Sequence, residues 1–279
     1  MKSFRFLIIV ALLPFWGWAD AIDDKVRSLV DPKSYVVHQR LIDIIFRDRS
    51  AFFLDETRLD SVKVVTTLKE NGLLDIFYRS GPRNLSATFR THQSPPFFLK
   101  AIGDSLSELG YNFTLTSSMR QDGAFFEWQL AYRSDHAIDP ALLAKRLSSY
   151  GILIEDISKE EDRWFYTLTA TAPMLPEATY LEADLQEPLT LLNPMGEYWV
   201  DLNQTGGRVG VRRKTGGLWF PYAVFYDRDL RILRVMTHEQ ALRTLFVRVP
   251  ENAAYLKITD NYTTENLKHG IQLWLESSN

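Results

Sequence analysis

The sequence predicts an α+β protein: a helical lead-in, a ferredoxin-like βαββαβ domain, and an all-β sandwich of jelly-roll type. Three observations predict it. Residues 84–170 read as one unit written twice, each copy a strand, a proline-bearing turn, a short amphipathic helix closed by glycine, and another strand. Residues 173–279 carry many short alternating segments separated by turn signals, the pattern of a sandwich. The chain has 46% hydrophobic residues and no cysteine, so it must be held by burial alone, which 279 residues permit.

The first stretch, residues 1–21, reads as a secretory signal peptide. Lys2 and Arg5 precede an apolar run from Phe6 to Trp18, and small residues follow at Ala19 and Ala21. The run is shorter than the roughly 20 apolar residues a membrane crossing needs, so cleavage would release a soluble protein. Retention as an anchor is the competing reading. Export without disulfides points to a bacterial periplasm as the location.

Residues 22–78 form the lead-in. Asp31-Pro32 looks like an N-cap followed by proline at the first helical position, and Val37, Leu41, Ile44 and Ile45 then recur at helical spacing. A second helix starts at Asp60 and stops at Asn71-Gly72. The apolar stripes of both are expected to face the core.

Residues 79–172 hold the doubled unit. Asn84–Arg90 is a strand, and Ser94-Pro95-Pro96 opens a helix with Leu99, Ile102, Leu106 and Leu109 on one face and Gly110 at its end. Asn112–Arg120 and Ala124–Arg133 are joined by Asp122-Gly123, a two-residue hairpin signal. Asp139-Pro140 opens a second helix closed by Gly151, and Ile152–Ile157 with Arg163–Ala170 completes the sheet. The order β-α-β-β-α-β plus a strand is the split βαβ arrangement.

Pro173 and Pro176 mark the boundary to residues 173–279. Strands are predicted at Tyr180–Ala183, Glu197–Leu202, Arg208–Val211, Leu218–Tyr226, Leu230–Met236, Thr244–Val249, Tyr255–Thr259 and Gly270–Glu276, with a short helix near His238–Leu242.

Charge and motif content exclude more than they assign. A net charge of -3 argues against nucleic acid as a partner. Arg208, Arg212, Arg213 and Lys214 form the densest basic cluster and read as a solvated hairpin. The five histidines show no His-x-His or His-Glu-x-x-His spacing, so no metal site is predicted. Asp227-x-Asp229 reads as a turn rather than a calcium loop. No Gly-x-Ser-x-Gly elbow, Ser-x-x-Lys pair or phosphate-binding glycine loop occurs, and neither a catalytic residue nor a cofactor is predicted. Among the Asn-x-Ser/Thr triplets, Asp201-Leu202-Asn203-Gln204-Thr205 resembles an acid-extended bacterial N-glycosylation acceptor.

The informative anomaly is an alternation that breaks in four strands. Side chains in a strand alternate between faces. Trp199 falls on the polar side with Glu197 and Asp201, and Trp274 with Gln272 and Glu276. Phe246 lies between Thr244 and Arg248, and Tyr255 beside Lys257. Either another part of the chain covers these rings, or they form an exposed platform. Flat rings flanked by polar groups suit the stacking of sugars, and Trp and Tyr dominate protein recognition. The sequence therefore predicts an exported, non-catalytic binding or scaffold protein that uses Trp199, Phe246, Tyr255 and Trp274 to hold a protein or glycan. The alternatives are a carbohydrate-active hydrolase with a site between the domains, and a structural subunit of an envelope machine.

Overall fold

The computed structural model describes residues 16–123, 125–182, 187–202 and 206–276. Most of the predicted export segment and the Asn203 triplet lie outside them. The chain is a mixed α+β protein whose sheets are mostly antiparallel. Its described residues divide between two compact units. One draws on Met1–His92, Ser105–Leu147 and Leu153–Thr169, the other on Gln93–Asp104, Ser148–Ile152 and Ala170–Asn279.

Helices start where short acidic side chains satisfy free N–H groups. In helix α2 (Pro32–Ile45) the Asp31 carboxylate accepts from Lys33 N (2.9 Å) and Ser34 N (3.2 Å). In α3 (Ser61–Glu70) Asp60 accepts from Lys63 N at 2.9 Å. Helix α1 (Trp16–Leu29), which no local signal predicts, precedes both. It packs on α3 and reaches the sheet through Lys25, whose ammonium is ion-paired with Asp156 and donates to Ile157 O at 3.0 Å.

One expectation is overturned here. The α2 stripe does not face the core: Val37 is 76% exposed, and Val36, Leu41 and Ile44 also point outward. Ile42 and Phe46 are the residues that α2 and its C-cap bury. Periodicity locates an apolar face but not the element that covers it, and α2 is tethered by a narrower contact than its composition suggests.

The sheet of the first unit contains β1 (Arg83–Thr91), β2 (Thr114–Asp122), β3 (Phe125–Ser134), β4 (Ile152–Glu160) and β5 (Arg163–Ala170), in the order β2-β3-β1-β5-β4. Helices α4 (Pro95–Glu108) and α5 (Pro140–Ser149) supply the crossovers. β1 runs antiparallel to β3, Phe89 opposite Trp128, and parallel to β5, Phe89 opposite Tyr166. The strand read as an addition to the doubled unit thus lies next to β1, and β4 takes the edge. Burial explains the placement, because Trp164, Tyr166 and Leu168 of β5 are all fully enclosed. Three tyrosines hold the connection into α5: Tyr111 donates to Ala137 O (3.0 Å), Tyr166 donates to Ile138 O (3.4 Å), and Tyr132 accepts from Ile138 N (3.4 Å).

The second unit contains two further sheets. One has the order β11-β10-β13-β8-β6, from β6 (Thr179–Tyr180), β8 (Tyr198–Asp201), β10 (Pro221–Tyr226), β11 (Ile232–Thr237) and β13 (Tyr255–Asp260). The other has the order β12-β9-β14-β7, from β7 (Leu189–Leu191), β9 (Arg208–Arg213), β12 (Thr244–Arg248) and β14 (Ile271–Glu276). Both contribute to one core: Tyr198, Val200, Phe225, Leu256 and Ile258 from the first meet Val209, Val211, Leu245, Val247 and Leu273 from the second. The helix predicted near His238–Leu242 is absent; that segment is a turn fixed by a bridge between Leu242 and Trp219. Gln240-Ala241-Leu242 has helical composition, but too few residues precede β12 to nucleate a helix.

Asp260 is the polar anchor of this unit. Its carboxylate accepts from Phe220 N (2.8 Å), Tyr262 N (3.0 Å), Thr263 N (3.1 Å) and Asn266 Nδ2 (3.0 Å). Burial alone would raise its pKa, but these donors outweigh it and hold the group below the ordinary aspartate range. A lowered folded pKa stabilises fully above the unfolded value of about 3.9, and the gain is lost as pH falls through the folded value. Asp260→Ala is expected to cost about 1.5–3 kcal/mol at neutral pH in urea unfolding, and the deficit should shrink below about pH 4.

Candidate functional site

The four predicted rings separate onto two sheets. Trp199 and Tyr255 lie on the outer face of the five-stranded sheet, on β8 and β13, with Trp199 opposite Lys257 and Tyr255 opposite Asp201. Phe246 and Trp274 lie on the outer face of the four-stranded sheet, on β12 and β14, each paired with Gly210 of β9. Alternation assigns the correct face in all four strands. It says nothing of which sheet a strand joins, because register between distant segments is a long-range property.

The two pairs meet different fates. Tyr255 is 1% exposed, which removes it from any recognition surface. Burial pushes its hydroxyl pKa up. Val224, on the same outer face two strand positions away, is also buried, so the middle of this face is roofed. Trp199 is partly covered. The Lys100 ammonium of α4 lies 5.1 Å from its ring centroid and that of Lys257 5.4 Å, while Tyr226 packs beside it at 5.3 Å. Lys100 is held by Asp104 (2.8 Å) and Glu177 (2.7 Å). Burial works against its charge, but these two carboxylates prevail and raise its pKa. Lys100, Lys257 and Tyr226, all of the same unit, therefore account for the cover over Trp199.

The four-stranded sheet differs. Val209, Val211, Leu245, Val247, Ile271 and Leu273 point inward and are buried, leaving the alternate residues outside. The register sorts these into three rows across the strands. The central row is Phe246, Gly210, Trp274; one flanking row is Arg248, Arg208, Glu276; the other is Thr244, Arg212, Gln272.

Gly210 makes the central row possible. A β-carbon there would sit 2.2 Å from Trp274 Cε2 and 2.4 Å from Cζ2, so the indole lies flat over bare backbone. Phe246, 39% exposed, meets it edge-on with ring centroids 5.8 Å apart at 83°. The Arg208 guanidinium stands 4.7 Å from the Phe246 centroid and that of Arg212 5.6 Å from the Trp274 centroid. Each contact contributes about 0.5–1 kcal/mol at an exposed site. Arg212 Nε also donates to Gln272 Oε1 at 2.9 Å. Arg208 approaches Glu276 only to 3.6 Å, and the Arg248 guanidinium makes no hydrogen bond or ion pair among the described residues. The outcome is a surface of one exposed ring, Phe246, one partly buried ring, Trp274, and three guanidinium groups, partly balanced by one carboxylate.

At the end of the unit where the β8–β9, β10–β11 and β12–β13 connections meet lies a depression of about 930 Å³. Arg248 lines it together with Arg228, Arg234, Asp227, Asp229 and Glu251, so the ring face and the depression share a residue. Asp227 Oδ1 is occupied with the turn itself, accepting from Asp229 N (2.9 Å) and Arg231 N (2.8 Å). No group of three His, Asp or Glu side chains poised to hold a metal ion occurs among the described residues.

Arg208 and Arg212, read from the sequence as part of a solvated hairpin, and Gly210, which that reading did not single out, belong to the candidate site. The signal was present: a lone glycine inside an alternating strand marks a close approach to the backbone. Comparison with known protein families, with curated proteins and with solved structures finds no match.

Proposed function

We propose that the protein is an exported, non-catalytic binding or scaffold protein of the bacterial cell envelope, which holds a protein or glycan partner on the outer face of its four-stranded sheet. The observation that carries this reading is the Trp274 indole laid on Gly210 beside the exposed Phe246, with guanidinium groups on either side. Such a surface offers stacking to a flat partner and several donors to its oxygens, with little rearrangement on binding. Export is supported by Lys2, Arg5 and the apolar run that follows them. In this reading the first unit is an elaborated ferredoxin-like βαββαβ fold and the second a jelly-roll-like β-sandwich.

The double variant Phe246→Ala, Trp274→Ala tests the reading. Removal of two central rings is expected to weaken partner binding about 30-fold or more, the effect of a recognition hot spot. The rings are outside the core, so the melting transition should move little. Binding to an envelope-polysaccharide panel and to purified envelope proteins is the measurement, and binding unchanged by the double variant would refute the site.

A second reading, a structural subunit of an envelope assembly, is favoured by the outward-facing Val36, Val37, Leu41 and Ile44 of α2. Apolar residues clustered on an exposed helix face are a usual mark of subunit contact. Val37→Asp with Ile44→Asp should leave the isolated protein folded and abolish its incorporation into a larger particle, read by size-exclusion chromatography of envelope extracts.

A further inference from the structure

The outer face of the four-stranded sheet is positive, on a chain whose net charge is -3. Arg208 of β9 and Arg248 of β12 stand directly opposite each other in the register, on the same face, and both are exposed. Like charges placed directly opposite on neighbouring strands destabilise the pairing. The sheet itself does little to relieve this contact. Glu276, which faces Arg208 from β14, stays 3.6 Å from its guanidinium, and the Arg248 guanidinium has no ion pair or hydrogen bond among the described residues. Arg212 donates to Gln272 but forms no ion pair among the described residues. The depression beside Arg248 does not share the imbalance, because its other arginines, Arg228 and Arg234, are matched in the same lining by Asp227, Asp229 and Glu251.

An oxyanion between Arg208 and Arg248 would turn one repulsive contact into two attractive ones. A guanidinium packed against a ring, as Arg208 is against Phe246, retains an N–H fork that matches a carboxylate, sulfate or phosphate group. Arg212 lies four residues along β9, about 13 Å of extended strand, on the other side of the ring row. The face thus offers two receptors for negative charge with aromatic carbon between them.

Composition separates the classes of polyanion. None of the outward residues in the paired spans of β9, β12 and β14 is aliphatic. The centre of a protein–protein interface is apolar and depleted of charge, whereas charged rows flank both rings here. A sugar chain brings hydroxyl groups to Thr244, Gln272 and the arginines, and C–H faces to the rings. Taking this face as the binding surface, we infer that the partner is an acidic glycan, with one oxyanion group received between Arg208 and Arg248, another at Arg212, and sugar rings resting on Phe246 and Trp274.

The test is calorimetric titration of the full chain with polygalacturonate, dextran sulfate, neutral dextran, poly-L-glutamate and an oligothymidylate. One of the two acidic glycans should bind at least about tenfold tighter than the other three probes, the worth of one charge-assisted hydrogen bond. Rising NaCl should weaken that binding. Arg208→Gln and Arg248→Gln should each weaken it about tenfold, and Arg212→Gln several-fold. Arg120→Gln, an exposed position on β2 of the other unit, should leave it unchanged. Arg248→Gln should melt no lower than the parent, because it removes a like-charge contact, so its loss of binding is not a loss of fold. The inference is overturned if neither acidic glycan binds, if a probe of another class binds as tightly, or if binding survives both Arg208→Gln and Arg248→Gln. Binding of neutral dextran or poly-L-glutamate that the Phe246→Ala, Trp274→Ala variant abolishes would overturn the acidic glycan and uphold the face. Binding untouched by the ring and arginine variants alike would refute the face as well.

Discussion

Trp219→Ala is expected to destabilise the second unit by about 3–5 kcal/mol, the largest effect of any single substitution considered. Trp219 is completely buried in the core that the two sheets share. Its backbone is fixed by two hydrogen bonds with Leu242, at 3.0 Å and 2.8 Å, so the strand ends cannot close over the space left by the ring. The indole N–H makes the prediction sharper, for it has no hydrogen-bond partner among the described residues. Trp219→Phe removes that unsatisfied donor along with some apolar area, and the two effects oppose each other at about 1–3 kcal/mol apiece. The phenylalanine variant should therefore lie within about 1 kcal/mol of the parent. Urea unfolding monitored by hydrogen exchange of the β10 and β13 amides reports this unit alone. Equal losses in the two variants would refute this account, because a phenyl ring that fills most of the space would then stabilise no more than an empty cavity.

Gly210→Val should abolish the partner binding proposed for this surface and cost about 1–3 kcal/mol of stability. The valine side chain would occupy the space over which the Trp274 indole lies, since even its β-carbon would fall 2.2 Å from a ring atom. The backbone of Gly210 is paired on both sides, with Phe246 of β12 and Trp274 of β14, so the strand cannot retreat. The indole must swing out, which separates it from Phe246 and from Arg212. A blue- or red-shifted Trp274 emission, measured in a variant where the remaining tryptophans are accounted for by difference, should accompany the loss of binding. Gly210→Ala should show the same changes at smaller amplitude. A valine variant that retains both emission and binding would mean that the indole does not depend on bare backbone for its position.

Local signals were legible where a single turn of chain decides the outcome. The caps at Asp31, Asp60 and Asp139 are fixed by hydrogen bonds within three residues, and all three open helices as their sequences predict. The Asp122-Gly123 signal finds the β2–β3 hairpin but misses its register by one residue, since Asp122 is still paired, opposite Phe125. What could not be read is what depends on distant segments. The stripe on α2 has the right spacing for burial but lacks an element above it. Tyr255 has the right parity for exposure but is roofed, and Trp199 is half claimed by Lys100, more than ninety positions earlier in the chain. β7 is only three residues long and lies beside β14 because of its register with Ile271 and Leu273, not because of its own composition. Of the candidate site, the outward face of Phe246 and Trp274 was legible, the pairing between them was not, and the glycine beneath the indole was visible but unweighed.

The contact between a ring and a residue without a side chain also constrains how this surface can change over generations. No substitution at position 210 leaves the indole of position 274 where it lies, and a smaller residue at 274 would free position 210 to drift. Descendants of a common ancestor should therefore fall into two groups, one keeping both residues and one having lost both, with few intermediates. That division would sort lineages that still use the surface from lineages that have abandoned it.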